Sequence, residues 1–225
     1  MDRLFSLRAR IESACARAKR DADEVTLIGA SKTVSAPRLQ TFFEAGMRDF
    51  GENYVQEGIE KVRFFREKGW DANWHFIGAL QSNKAREAVA HFDLIHSVDR
   101  LSLARELDKE ARKIGKMQRV LLQVNVGDEI SKAGTAPCEL SALFGAVSRL
   151  ENLQIEGLMS LPPFLEDVEA MRPFHRQLRE LRAELSAQNP QIQALSMGMS
   201  HDFEVAIEEG ATQIRLGTAL FGARS

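Results

Sequence analysis

Val25-Thr-Leu-Ile-Gly-Ala30 is a short, largely apolar run that stops at Ser31-Lys32. Its length and abrupt polar end read as a buried strand handing over to a loop. Seven more segments of this kind follow: Asp49–Glu52, Trp74–Gly78, Leu94–Val98, Val120–Val126, Ile155–Met159, Ala194–Met197 and Gln213–Leu216. Helical patterns separate them, at 36–45, 54–68, 84–91, 100–114, 136–150, 166–188 and 202–209, and another at 3–19 precedes the first strand. Glycine closes several of these helices, as at Gly46, Gly69, Gly115 and Gly210. Strands alternating with helices point to a parallel sheet covered by helices. Eight such steps in 225 residues fit a single α/β domain, a compact (β/α)8 TIM barrel over 1–225 with an extra N-terminal helix. A doubly wound open sheet has the same alternation, and periodicity does not separate the two.

Composition narrows the class. Hydrophobic residues make up 44% and charged residues 28%, with a formal net charge of −2, which gives no basis for a broad nucleic-acid or membrane surface. Cys15 and Cys138 are the two cysteines, and their spacing suggests neither a metal site nor a disulfide framework. No stretch reaches the length of a membrane span, and the N-terminal residues lack the apolar core of a signal peptide. The expectation is a cytoplasmic protein without nucleic-acid or membrane partners and without a metal.

Barrels of this kind collect functional groups at the C-terminal ends of their strands and bind phosphates after strands seven and eight. Lys32 follows the first strand, where desolvation could free its amine as a nucleophile toward a carbonyl. A solvated lysine at a strand end is the plain alternative. Asn53 follows the second strand. Ser200 opens an apolar helical pattern, so it is either a helix N-cap or an anion ligand. Gly217 and Thr218, after the eighth strand, offer close backbone approach and a hydroxyl. Arg215, inside Gln213-Ile-Arg-Leu216, either points outward or enters the barrel mouth. A nucleophilic lysine beside a phosphate cradle is the combination that pyridoxal 5'-phosphate (PLP) needs, and a Schiff-base aldolase acting on a phosphorylated sugar shares it. His75 and His96 interrupt buried strands and read first as core histidines with satisfied hydrogen bonds, then as pocket wall or proton donor. Lys132, in the polar loop Asp128–Gly134, is a candidate for a second anion site.

Taken together, Ala30-Ser-Lys32, Phe50-Gly-Glu-Asn-Tyr-Val-Gln-Glu57, Trp74-His-Phe-Ile-Gly78, Gln81-Ser-Asn-Lys84, Ser131-Lys-Ala-Gly134, Ser196-Met-Gly-Met-Ser200 and Arg215-Leu-Gly-Thr-Ala-Leu-Phe-Gly222 resemble the YggS/PROSC family of pyridoxal phosphate homeostasis proteins. The resemblance spans nearly the whole chain. It implies a barrel like the N-terminal domain of alanine racemase. It also implies a Schiff base to PLP on Lys32, phosphate contacts from Ser200, Gly217 and Thr218, Arg215 facing the pyridine nitrogen, and Asn53 lining the pocket. Alanine racemase has a second, β-rich domain with a catalytic tyrosine, whereas the single tyrosine here is Tyr54. The expected function is therefore a non-catalytic, monomeric PLP carrier in vitamin B6 and amino-acid homeostasis, with PLP-requiring apo-enzymes as recipients. The alternative is a PLP-dependent amino-acid racemase.

Overall fold

The computed structural model describes residues 2–127 and 133–222; Lys132 lies outside them. Eight parallel strands pair in chain order and close into a barrel. They are β1 (Thr26–Ala30), β2 (Asp49–Glu52), β3 (Asn73–Phe76), β4 (Leu94–Val98), β5 (Gln118–Val124), β6 (Leu153–Ser160), β7 (Ala194–Ser196) and β8 (Gln213–Leu216). The closing seam runs from Thr26 beside Gln213 to Gly29 beside Leu216. This closure decides against the open sheet.

Outside the barrel lie α1 (Asp2–Arg17), α2 (Ala36–Glu44), α3 (Val55–Glu67), α4 (Ala85–His91), α5 (Leu101–Lys113), α6 (Leu140–Val147), α7 (Arg172–Ser186), α8 (Phe203–Glu208) and α9 (Thr218–Phe221). Helix α1 precedes the first strand, as expected. It buries Leu4, Leu7, Ile11, Ala14 and Cys15, and it packs on α8 and α9. Chain start and chain end thus share one layer. None of the described helices is long and apolar enough to cross a membrane.

Two helix starts differ from the sequence reading by more than one residue, for a common reason. The pattern at 166–188 gives a regular helix only from Arg172, with Pro173 in its first turn, and the pattern at 136–150 gives a 3-10 turn, Pro137–Glu139, before α6. Proline lacks an N–H and clashes with the carbonyl four residues back, so it starts helices rather than sitting inside them. Gly69 and Gly115, expected as helix stops, have φ of 68° and 63° with open space where a Cβ would go. Conformation alone selects glycine at both.

Candidate functional site

Beyond β1 the chain makes a tight turn in which Val34 donates its N–H to the Ser31 carbonyl. Lys32 is half-buried at the head of this turn. The residues on either side of it are held from below. Ser31 is fully buried, and its Oγ donates to Glu52 Oε1 at 2.5 Å. Lys61 Nζ donates to the Ser31 carbonyl, to Glu52 Oε1 and to Glu57 Oε1, each at 2.7 Å. Thr33 donates its N–H to the same Glu57 oxygen. Burial pushes the Glu52 carboxyl above the usual carboxylate range against the pull of Lys61. Sequence reasoning missed this clamp. Glu57 and Lys61 stand four apart on α3, a spacing typical of exposed pairs, yet Lys61 is only 4% exposed.

On β8, the strand paired with β1, Arg215 lies beside Ile28 and is also 4% exposed. Its guanidinium donates to Ser196 Oγ at 2.7 Å and to the Ser160 carbonyl at 2.8 Å. Burial pushes its pKa down to about 10, partly opposed by Asp202, so it stays charged at neutral pH. Ser200 is not the N-cap of α8; Asp202 is. The Ser200 hydroxyl instead accepts from the Gly217 and Ala219 amides, at 3.3 and 3.2 Å. It therefore tethers the turn after β7 to the turn after β8. Asp202 orders that first turn by accepting from the Met199 amide at 2.7 Å and from His175 Nε2 at 2.8 Å.

At the C-terminal mouth of the barrel lies a cavity of about 450 Å³. Its lining includes Lys32, Ser200, Arg215, Gly217 and Thr218, five of the six residues singled out from sequence. Arg38, His201 and Phe221 join them, none of which was expected. The Arg38 guanidinium bonds the Phe221 carbonyl, and His201 Nε2 donates to the Leu165 carbonyl at 3.1 Å. Asn53 follows β2 and is half-buried, outside this lining. Its carbonyl would lie 2.2 Å from a Cβ at position 78, which explains Gly78. The cavity can therefore hold an anion against a hydroxyl and a glycine turn, with an amine and a buried guanidinium also in its lining.

The sequence matches the family described as alanine racemase, N-terminal domain, over residues 4–225. A pyridoxal phosphate homeostasis protein from Aquifex aeolicus is 48% identical over 224 residues, covering 99% of this chain and 97% of its own. The protein of that name from Escherichia coli (strain K12) is 44% identical, covering 98% and 95%. This chain belongs to the YggS/PROSC family of pyridoxal phosphate homeostasis proteins. Among solved structures similar to this family member is PipY of Synechococcus elongatus PCC7942 with PLP bound. It is 42% identical with a TM-score of 0.86, and the match covers 98% of this chain and 99% of PipY.

Proposed function

We propose that this protein binds PLP at the barrel mouth, as a Schiff base on Lys32, and holds it without catalytic turnover as part of vitamin B6 and amino-acid homeostasis. PLP supplies an aldehyde, a phosphate and a ring nitrogen. The lining offers one group suited to each. Lys32 is the amine for the aldehyde; Ser200, Gly217 and Thr218 form the phosphate end; Arg215 faces the ring nitrogen as a donor. The observation that carries the reading is the tether from Ser200 to the Gly217 and Ala219 amides. It gathers backbone N–H groups and a hydroxyl around one point in the same cavity lining as Lys32. A charged arginine donates to a ring nitrogen but cannot stabilise that nitrogen in protonated form, which weakens PLP as an electron sink. PLP bound at an accessible mouth suits exchange with apo-enzymes, from a cytoplasmic monomer.

Racemisation is the second reading, and one observation favours it: His201 lines the cavity with Lys32. A two-base racemase needs a proton-transferring group on each face of the substrate carbon. Its Nε2 is engaged with the Leu165 carbonyl, and the carrier reading leaves it there. Two measurements on the PLP-loaded protein decide. Borohydride reduction should fix one PLP per chain on Lys32, and Lys32→Ala should abolish that attachment while leaving weaker, phosphate-driven binding. Label on another lysine would refute the assignment. Cα deuterium exchange into a panel of amino acids in heavy water should stay at the rate of free PLP. Exchange well above it, lost in Lys32→Ala and His201→Gln, would establish the racemase instead.

A further inference from the structure

A line of polar side chains crosses the inside of the barrel beneath the cavity. It begins at Asp49, the first residue of β2, whose side chain is partly exposed. Asp49 Oδ1 lies 3.1 Å from His75 Nε2 on β3, and His75 Nδ1 lies 2.9 Å from His96 Nε2 on β4. His96 Nδ1 lies 2.9 Å from Ser196 Oγ on β7, the oxygen that accepts from Arg215. Strands β4 and β7 are not neighbours in the barrel, so the link from His96 to Ser196 spans its interior. His96 and Ser196 are fully buried and His75 nearly so.

The two ends fix the direction of every bond. Arginine only donates, so Ser196 Oγ accepts there and turns its own hydrogen toward His96 Nδ1. A carboxylate only accepts, so His75 carries its hydrogen on Nε2 and accepts at Nδ1. His96 then donates from Nε2 and accepts at Nδ1. Each ring has one proton, on Nε2, and any other single-proton arrangement sets two lone pairs or two hydrogens face to face. Burial, reinforced by His75 and Arg215, holds His96 well below its ordinary pKa, which agrees.

Barrel interiors are usually filled by branched aliphatic residues, and such packing avoids the cost of burying polar groups. A fully matched polar line in that place, meeting the cavity only at Arg215, needs another reason. We propose that Asp49, His75, His96 and Ser196 are positioning residues, a one-way hydrogen-bond relay that fixes the Arg215 guanidinium as a donor toward an aromatic ring nitrogen. The ligand half of this inference rests on the PLP reading above; the relay itself does not.

The relay is tested first in the ligand-free protein, by long-range proton–nitrogen NMR of 15N-histidine. Both rings should show Nε2–H with a bare Nδ1 at neutral pH. An Nδ1–H form or a doubly protonated ring at either position overturns the relay. The second test compares PLP affinity and the absorption band of bound PLP across variants. Ser196→Ala should bind PLP about 10-fold more weakly, the worth of one charge-assisted hydrogen bond, with a shifted band. His96→Gln keeps one donor and one acceptor and should stay near wild type, while His96→Leu should follow Ser196→Ala. Wild-type affinity and band in both Ser196→Ala and His96→Leu would overturn the positioning role. If the wild-type protein takes up no PLP, the functional reading fails, and the tautomers alone decide the relay.

Discussion

Thr33 has φ of 66°, in a region that β-branched residues rarely occupy, where strain of about 1–3 kcal/mol is typical. It is retained because its amide is pinned to Glu57 and the preceding Ser31 to Glu52 and Lys61. Lys32 is thus presented by two neighbours that cannot move independently of the buried cluster. Removing the cation tests this. Lys61→Met leaves Glu52 buried without a counter-charge and should cost about 3–5 kcal/mol of stability, read from denaturant unfolding. The double variant Glu52→Gln/Lys61→Met should recover a large part of that loss, because the orphaned charge is gone. A single-variant loss below about 1 kcal/mol, as for an exposed pair, would dismiss the clamp. At this scale the sequence exposed Lys32 and Arg215 because they end or interrupt an apolar strand pattern, Ser200 because it opens an apolar helical one, and His96 as a buried, hydrogen-bonded histidine. It concealed the burial of Lys61 and the partners of His96: nothing local marks an i,i+4 pair as buried or pairs a histidine on β4 with a serine on β7.

Between β7 and α8 the chain turns through Met199–Asp202, and the carboxylate of Asp202 organises the turn. Burial raises the Asp202 pKa, but hydrogen bonds from His175 and the Met199 amide outweigh it, and the result lies below the ordinary value near 3.8. A carboxyl lowered in the folded state stabilises the fold above its unfolded pKa, and that contribution disappears as pH falls through the lowered value. Asp202→Asn should therefore destabilise the protein by about 1–3 kcal/mol at neutral pH. The gap from wild type should shrink as pH drops below about 3.8. A gap that is constant with pH would show that packing, not charge, holds the turn. Because Ser200 lies within this turn, the same variant should weaken binding of inorganic phosphate, measured by calorimetry. Element types were legible from α1 to β8 from periodicity and glycine stops, while the short helix α9 was not. The boundaries at Arg172 and Leu140 were not, because an apolar stripe continued across Pro173 and Pro137, where the backbone cannot continue as a helix.

Barrel closure is uneven. Seven residue pairs join β5 to β6, from Gln118 beside Leu153 to Val124 beside Ser160, whereas Ser196 beside Gln213 is the one pair joining β7 to β8. The eight-step alternation suggested a barrel in the sequence without excluding an open sheet, because closure, strand order and the short β7–β8 seam depend on register, which periodicity does not carry. This seam, whose amide-to-carbonyl bonds run from Thr212 to Leu195, Met197 to Gln213 and Arg215 to Gly198, leads into the two turns that Ser200 ties together, so a ligand phosphate bound there would bridge these two strands. Binding to the native state alone stabilises it by mass action, about 2.7 kcal/mol at a hundredfold excess over Kd. Local opening should respond most where the ligand bridges two strands. Saturating PLP should therefore slow amide hydrogen exchange at Leu195–Met197 and Ile214–Leu216 more than at Leu121–Val124. Lys32→Ala should keep this pattern at a higher PLP concentration, since the phosphate end bridges the seam while the lysine sits in the turn after β1. Equal slowing at all three segments would mean that the ligand acts on global unfolding only. Slowing confined to the Lys32 turn would place the phosphate away from Ser200 and Gly217, and with it the proposed orientation of the cofactor would fall.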